Sequence, residues 1–279
     1  MNNLNSIYAA SPLEAWARLF LKVMNQGGTS LPATMVSIKA PTFATVEERH
    51  PLMEELNRLL IGSGKQPVRT SSEIIFPYSQ WRTKRWNVSE LSRWYLEEFM
   101  PRLTAISKKN SKTYFNRLIN YTGVKKTDSG ASHETVNQLE KVIDLCKAAA
   151  SRKSRPGHFR ESGLQMALFD PAKDLTASAL SNFPCLHQIG LSFEADGGLQ
   201  LSAFYPTQFI VDRAMGNYLG LCQLGLFIAS ELGITFSEFT CFIATPKLGD
   251  FNKTPLRDLE KSAQQFIEII ENQKPTATS

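Results

Sequence analysis

The sequence predicts a mixed α/β fold of the α+β kind, in which helices flank one sheet. Segments with apolar residues at helical spacing are mixed with short strand-like segments, and the two kinds do not alternate strictly. No internal repeat is visible, and no linker is long enough to divide the chain. The 279 residues, 42% of them hydrophobic, are therefore interpreted as a single globular domain, 1–279.

The first half is predicted to contain helices separated by short strands. The first helix begins at Ser11-Pro12-Leu13-Glu14, a capping box with proline at the first helical position, and ends at Gly27-Gly28. The segments that follow are, in order, a strand at 35–38, a helix at 51–60, a strand end at 74–77 and a helix at 89–100.

The second half is predicted to contain most of the sheet. A hairpin turn at Ala195-Asp196-Gly197-Gly198 joins two strands. Polar or basic composition predicts loops at 107–112 and 127–132 and a break at 151–157. The regular segments are a helix at 134–150, strands at 163–169, 187–193 and 199–204, an apolar helix at 218–232, a strand at 239–244 and a helix or strand at 256–270.

The net charge of +5 is concentrated in the middle of the chain. Such a belt attracts phosphates or a nucleic-acid backbone, although a solvated surface is the more common role of such residues, and nucleic acid is not the expected partner. The basic residues concerned are Lys108, Lys109, Lys112, Arg117, Lys125, Lys126, Lys147, Arg152, Lys153, Arg155 and Arg160.

The four cysteines, the N-terminus and the longest apolar stretch indicate the cellular compartment of the protein. No C-x-x-C pair or histidine cluster is present, so we expect no metal site, and scattered cysteines fit a reducing environment. The N-terminus lacks the features of a signal peptide, and the longest apolar stretch, 218–232, is too short to span a bilayer. We therefore expect a cytoplasmic protein without a membrane partner.

Pro184-Cys185 and the downstream Asn217 suggest a chemistry. A thiolate can add to C6 of a pyrimidine and make C5 nucleophilic, while a carboxamide reads the edge of the base with one donor and one acceptor. A free cysteine is more often a small buried apolar residue, so the pair alone does not decide between the two roles.

The residues around this pair form an ordered pattern. The pattern comprises a helix at 136–143, a strand at 163–169 followed by Asp170, Phe183-Pro184-Cys185-Leu186-His187, a hairpin at 193–199, and Arg213-Ala214-Met215-Gly216-Asn217 before an apolar helix. In this order, the stretch from Val136 to Phe242 resembles thymidylate synthase and its relatives, the pyrimidine nucleotide hydroxymethylases. Thr113-Tyr114 and the four residues after them occupy the place of the family's Tyr-Gly segment, so Tyr114 is a candidate substrate contact.

The resemblance implies a thymidylate synthase-like fold: a large mixed sheet with flanking helices, packed face to face with the sheet of a second copy in a homodimer. It implies that Cys185 adds to C6 of a pyrimidine nucleotide and that Asn217 holds the base edge. It further implies that 5,10-methylenetetrahydrofolate delivers a one-carbon unit to C5. A reductive ending gives a methyl group, and attack by water gives a hydroxymethyl group.

The chain departs from the family at the phosphate contacts. The phosphate-binding Arg-Ser step falls on Tyr205-Pro206-Thr207-Gln208, which places Gln208 at the substrate without an arginine's charge. Arg213, Arg160 and Arg117 are the candidates to replace it, and each is also consistent with a surface arginine. Asp170 stands where the family usually has Asn.

Acid–base groups are less well defined. Glu97, Glu98 and Glu55 are candidates for the catalytic glutamate, and we assign this role to Glu98. His187 could lower the Cys185 thiol pKa as an imidazolium, or it could be a packed, hydrogen-bonded side chain. Two alternatives remain: a catalytically degenerate homodimer that binds a nucleotide or a protein partner, and a nucleic-acid-binding protein.

Overall fold

The computed structural model describes residues 5–39, 49–106, 113–127, 130–151, 160–175 and 184–273. Several predicted features lie outside these ranges. They are the loop at 107–112, most of the basic break at 151–157, and Phe183.

The main sheet has six strands, and a separate hairpin has two. The strands are β1 (Asn5–Ala9), β2 (Thr34–Lys39), β3 (Tyr121–Thr127), β4 (Gly130–Val136), β5 (Gln165–Ala167), β6 (Gln188–Phe193), β7 (Leu199–Phe209) and β8 (Phe236–Lys247). The sheet order is β1-β2-β8-β7-β6-β5, and β3 pairs with β4. The β1–β2 pair is parallel, whereas β2–β8, β5–β6 and β6–β7 are antiparallel. The sheet is therefore mixed, as the sequence predicts.

Helices flank the sheet. They span Pro12–Asn25, Pro51–Gly62, Val68–Ile75, Tyr78–Lys84, Val88–Trp94, Met100–Ile106, Tyr114–Ile119, Gln138–Ser151, Pro171–Asp174, Met215–Leu232 and Lys253–Gln273. π-Helical turns at Tyr95–Phe99 and Ile210–Ala214 lead directly into two of these helices, and a 3₁₀ turn spans Glu161–Gly163. None of the described helices combines the length and the apolar character that a membrane span requires.

The first helix shows how local signals set its ends. The Ser11 hydroxyl accepts a hydrogen bond from the Glu14 N–H at 3.2 Å, and Pro12 occupies the first turn. At the other end Gly27 and Gly28 have φ of +91° and +71°, a backbone region that favours glycine. The predicted start and stop of this helix are confirmed.

Two predictions of secondary structure are wrong, and two place the right element with the wrong boundaries. Ile74 and Ile75 end a helix rather than form a strand, because a short buried apolar run does not reveal its own period. The predicted loop at 127–132 lies largely in the β3–β4 hairpin, where Thr127 pairs with Gly130. The helix expected from 134 begins at Gln138, because Glu134 belongs to β4. The strand expected at 163–169 is limited to β5, after a 3₁₀ turn.

The strand boundaries also shift elsewhere. β1 was not predicted, β7 and β8 are longer than expected, and β6 begins one residue after His187. The last regular segment, left open between helix and strand, is a helix with Leu256, Leu259 and Ala263 buried on one face.

The chain forms two compact units, each assembled from separated segments. The first unit takes its described residues from 1–72, 205–222 and 237–279, and its core includes Trp16, whose indole N–H donates to the Ile210 carbonyl at 2.9 Å. The second unit comprises 73–204 and 223–236. Its core contains Phe76, packed against Phe115 and Phe227 with ring centroids 5.8 and 5.0 Å away.

Candidate functional site

The short helix Tyr114–Ile119 organises the candidate site in the second unit. Thr113 caps it, because its Oγ1 accepts the Asn116 N–H at 3.2 Å. Phe115, Leu118 and Ile119 are buried and anchor one face of the helix. Tyr114 and Arg117 are three residues apart, so they project from a common side of the helix.

Tyr114 holds the backbone at Cys185. Its phenol oxygen accepts hydrogen bonds from the N–H groups of Cys185, at 3.1 Å, and Leu186, at 3.4 Å. Leu186 is fully buried, whereas Cys185 is half-buried. The sequence-predicted pair of Tyr114 and Cys185 is therefore brought into contact, through backbone N–H groups rather than through the thiol itself.

The other three cysteines lie in the core. Cys222 and Cys241 are fully buried, as their apolar segments indicate, and Cys146 is 6% exposed. Burial raises the pKa of Cys146 to about 11, with a further contribution from the charge of Glu161. Cys185 is thus the described thiol that solvent or a ligand reaches most readily.

Arg117 is held in a bidentate ion pair with Asp174. Its two terminal nitrogens lie 2.5 and 2.8 Å from the two Asp174 carboxylate oxygens, and one of them also donates to the Leu168 carbonyl at 2.6 Å. The Arg117 and Asp174 side chains are 16% and 2% exposed. Such a geometry is strong and directional, so the charge of Arg117 is balanced inside the protein.

Asp170 completes this network. One of its oxygens accepts the Ala172 N–H at 3.0 Å and caps the helix Pro171–Asp174, and the other lies 2.9 Å from the Lys173 ammonium. Its own N–H donates to Asp174 at 2.9 Å. The Lys173 ammonium also donates to the Thr122 carbonyl at 2.9 Å. Through Lys173, Asp170 therefore links the helix Pro171–Asp174 to the β3–β4 hairpin.

His187 is packed between aromatic rings. Its ring stacks on Phe169, with centroids 4.5 Å apart and an interplanar angle of 13°, and meets Phe204 edge-on at 5.9 Å. Burial lowers the pKa of His187, while the charge of Asp174 and a hydrogen bond with the Pro184 carbonyl oppose that shift. The arrangement matches the packed, hydrogen-bonded alternative and favours a neutral ring at neutral pH.

Glu98 belongs to an exposed part of the second unit. It lies in the π-helical turn and is 3.9 Å from Arg102, and its side chain is 57% exposed. With Glu97 it borders a pocket of about 140 Å³ beside Trp86 and Trp94. Glu55, in the first unit, accepts a hydrogen bond from the Ser262 hydroxyl.

Glu73 is a carboxylate that sequence reasoning missed. It is half-buried, and one of its oxygens accepts both the Ser79 N–H, at 3.0 Å, and the Ser79 hydroxyl. Its charge adds to the effect of burial on Tyr95, whose pKa is raised to about 12. An acidic residue directly before the apolar run at 74–76 was the available signal, and the strand interpretation of that run obscured it.

Three further candidates belong to the first unit. Asn217 is 5% exposed in the first turn of the helix Met215–Leu232. Gln208, 1% exposed, accepts a hydrogen bond from the Tyr218 hydroxyl at 2.9 Å. Arg213 lies in the π-helical turn, with its Nε 3.5 Å from Asp212 and a terminal nitrogen 3.4 Å from the Ser71 hydroxyl.

The start of this helix packs closely on residues 68–72. A Cβ added at Gly216 would lie 2.5 Å from the Ser71 Cβ and 2.9 Å from the Val68 carbonyl oxygen. Glycine therefore lets the backbone next to Asn217 approach the helix Val68–Ile75.

The predicted site residues thus separate into groups. In the second unit Tyr114 contacts the backbone of Cys185, and Asp174 joins Arg117 to Asp170. His187 packs on Phe169 in the same unit. Arg160, in the same unit, is exposed and directly precedes the 3₁₀ turn at Glu161–Gly163. Within the described ranges, no group of three or more His, Cys, Asp or Glu side chains is arranged to hold a metal ion.

Comparison with known proteins gives no assignment. No protein-family model matches the chain, and no curated protein sequence matches it significantly.

Proposed function

We propose that this protein is a thymidylate synthase-like enzyme that transfers a one-carbon unit to C5 of a pyrimidine nucleotide through a covalent Cys185 adduct. The observation that carries the proposal is the state of Cys185. It is the half-buried thiol among three core cysteines, and the Tyr114 hydroxyl fixes its backbone. The sequence resemblance from Val136 to Phe242 supplies the reaction class.

The folate donor supplies carbon at the oxidation level of formaldehyde and, for a methyl product, a hydride. The pocket of about 140 Å³ beside Trp86 and Trp94 is smaller than the roughly 300–1000 Å³ typical of drug-sized ligands. This pocket does not accommodate a whole folate.

The steps that this chain's residues perform need only the pyrimidine and water. The Cys185 thiolate attacks C6, the C5–C6 π electrons move to C5 and the adjacent carbonyl, and C5 takes a proton from solvent. Loss of a C5 proton and expulsion of the thiolate restore the double bond. In deuterated water this cycle exchanges the C5 hydrogen.

Tyr114 has a proposed positioning role in this cycle. Its phenol oxygen accepts the N–H groups of Cys185 and Leu186, so it holds the backbone that carries the thiol. The base-edge role of Asn217 stays a prediction of the sequence resemblance.

The test is hydrogen–deuterium exchange at C5, followed by NMR. The substrates are UMP, dUMP, CMP and dCMP, with and without 5,10-methylenetetrahydrofolate. The nucleoside deoxyuridine, which has no phosphate, is added because Asp174 balances the charge of Arg117, a candidate phosphate ligand. The variants are Cys185→Ala and, as a matched thiol control, the buried Cys146→Ala. Exchange that Cys185→Ala abolishes and Cys146→Ala retains supports the proposal. Exchange that survives Cys185→Ala would exclude it.

The homodimer is proposed from a patch on the sheet of the first unit. On β8, Phe242 is 37% exposed, and its cross-strand partner on β2 is Met35. Directly opposed residues of antiparallel strands share a face of the sheet. We propose that the face bearing these two side chains packs on the same face of a second copy.

Light scattering after size-exclusion chromatography tests the dimer. Phe242→Asp places a charge on the proposed interface and is expected to give a monomer, whereas Ile61→Asp, at a residue 61% exposed on another element, is the control. A wild-type monomer at micromolar concentration contradicts this part of the proposal.

The alternative is a catalytically degenerate relative that binds a nucleotide or a protein partner. It is favoured by the commitment of Arg117 to Asp174 and by the neutral, buried Tyr205 and Gln208 at the family's phosphate step. Saturable nucleotide binding by calorimetry, with no C5 exchange under any condition, would support this alternative.

A further inference from the structure

A buried hydroxyl pair lies behind the helix that carries Tyr114. The Tyr95 phenol oxygen and Thr113 Oγ1 are 2.8 Å apart, Tyr95 is fully buried, and Thr113 is 6% exposed. The Tyr95 ring is itself fixed, because it meets Phe115 edge-on at 4.7 Å and Phe99 at 4.9 Å. The hydroxyl of Tyr95 therefore has little freedom to leave Thr113.

Thr113 transmits this contact to the helix start. Its Oγ1 also accepts the Asn116 N–H, so the same oxygen is both the helix cap and the partner of Tyr95. Tyr114 is the next residue, and the helix is only six residues long. A change in the first turn therefore moves the Tyr114 hydroxyl, on which the Cys185 and Leu186 N–H groups depend.

The backbone at Tyr95 departs from regular α-helix. Tyr95 begins a π-helical turn between the helices Val88–Trp94 and Met100–Ile106. Such a turn inserts an extra residue and changes the direction of the side chains that follow, at a cost in regular hydrogen bonding, and it is frequent at functional sites. The raised pKa of Tyr95, about 12, keeps its hydroxyl protonated across the neutral range.

We propose that Tyr95 is a positioning residue: through Thr113 and Tyr114 it sets the backbone that presents the Cys185 thiol. The catalytic meaning of this role depends on the proposed function, but the mechanical linkage does not. Tyr95 touches neither the thiol nor a reacting atom in this scheme. It acts through its hydrogen bond to Thr113, the short helix that Thr113 caps, and the two hydrogen bonds that Tyr114 accepts.

Amide hydrogen exchange at Cys185 and Leu186 measures the linkage directly. Tyr114→Phe removes the acceptor of both N–H groups and is the positive control. Tyr95→Phe keeps the ring and removes the hydroxyl, and is expected to speed exchange at these amides by about 2- to 12-fold, the factor for a hydrogen bond of ordinary net strength. Thr113→Val is expected to do the same, while Thr113→Ser, which keeps the hydroxyl, is expected to match the wild type.

A structural role alone has a different signature. If Tyr95→Phe lowers the melting temperature but leaves exchange at Cys185 and Leu186 unchanged under conditions where the protein stays folded, the proposal is wrong. Should Tyr95→Phe fail to fold, the comparison of Thr113→Val with Thr113→Ser tests the Thr113 step, without which the linkage cannot operate. Equal exchange in those two variants overturns the proposal.

Catalysis provides a separate readout. Where the wild type shows C5 exchange, Tyr95→Phe is expected to lower its turnover with little change in KM, and Thr113→Ser is expected to retain it. If the wild type shows no C5 exchange, the proposed function fails while the amide measurement still tests the linkage. The two failures are therefore distinguishable.

Discussion

The two units bury polar side chains in different ways. In the second unit Arg117 and Asp174 form a charged pair with two hydrogen bonds. Arg117 also donates to the Leu168 carbonyl, and Asp174 accepts the Asp170 N–H. In the first unit Tyr218 and Gln208 form one neutral hydrogen bond of 2.9 Å in an apolar core. The charged pair joins the helix Tyr114–Ile119 to the helix Pro171–Asp174. The neutral pair joins β7 to the helix Met215–Leu232.

The difference indicates where this chain places its strongest polar contacts. A buried ion pair does not stabilise a fold more than apolar packing does, but breaking one half of it leaves an uncompensated charge. Its presence beside the candidate site therefore fits a requirement for fixed geometry there. Breaking each pair in turn tests the contrast.

Asp174→Ala is expected to cause the largest loss of stability. It leaves the Arg117 guanidinium nearly buried without its carboxylate, which costs about 3–5 kcal/mol in comparable buried pairs. Urea unfolding followed by circular dichroism measures the free energy of unfolding. Asp170→Ala, which removes a helix cap, is the control and is expected to cost about 1 kcal/mol. Equal losses of stability in the two variants would show that the ion pair contributes no more than the helix cap.

Tyr218→Phe is expected to have an intermediate effect. It leaves the Gln208 carbonyl oxygen without its donor in a buried site, at a cost of about 1–3 kcal/mol. Adding Gln208→Leu to this variant replaces both partners by apolar groups and is expected to recover part of the loss. The same unfolding assay measures both. A double variant less stable than Tyr218→Phe would show that Gln208 has another buried role.

The pH dependence of stability is expected to show a smaller effect from His187. Burial lowers its pKa in the folded state, so the unfolded chain takes up a proton first as the pH falls below about 6.5. The contribution of His187 is thus lost as the pH falls from there toward the folded pKa. Unfolding free energies measured from pH 7.5 to 5 should decrease less steeply for His187→Gln than for the wild type.

His50 is the internal comparison for that experiment. Burial also lowers the pKa of His50, whose Nδ1 accepts the Leu52 N–H at 3.2 Å. Some acid sensitivity should therefore remain in His187→Gln. A slope identical to that of the wild type would mean that His187 titrates alike in both states.

Glu98→Gln is expected to change stability least. Its ion pair with Arg102 is solvent-exposed and 3.9 Å long, and such pairs contribute about 0–1 kcal/mol. The unfolding free energy is the measurement. A larger loss would indicate a buried role for this part of the π-helical turn.

Local signals were readable in the sequence, whereas distant pairs were not. The Ser11 cap and the Gly27-Gly28 stop predicted the first helix because both act within one turn of the chain. The apolar run at 74–76 was misread because burial on all sides removes the periodicity that separates helix from strand.

The candidate site was only partly predictable for the same reason. Cys185, Tyr114 and Arg117 were identified from residue type and order, but their partners could not be. Tyr114 and Cys185 are 71 residues apart, and Arg117 and Asp174 are 57 apart, so only the fold brings them together. Glu73 and Tyr95 belong to no motif with an associated chemistry, and the position of Glu73 before an apolar run was the one local signal.

The pairing of β2 with β8 has a consequence for how the protein is made. These strands lie about two hundred residues apart in the chain, with Thr34 opposite Ile243. During synthesis β2 leaves the ribosome long before β8 is made, so the backbone groups of β2 that pair with β8 stay unpaired until then. We therefore expect the first unit to be completed late in translation, and ribosome-bound chains that stop before residue 236 to depend on chaperones to protect β2.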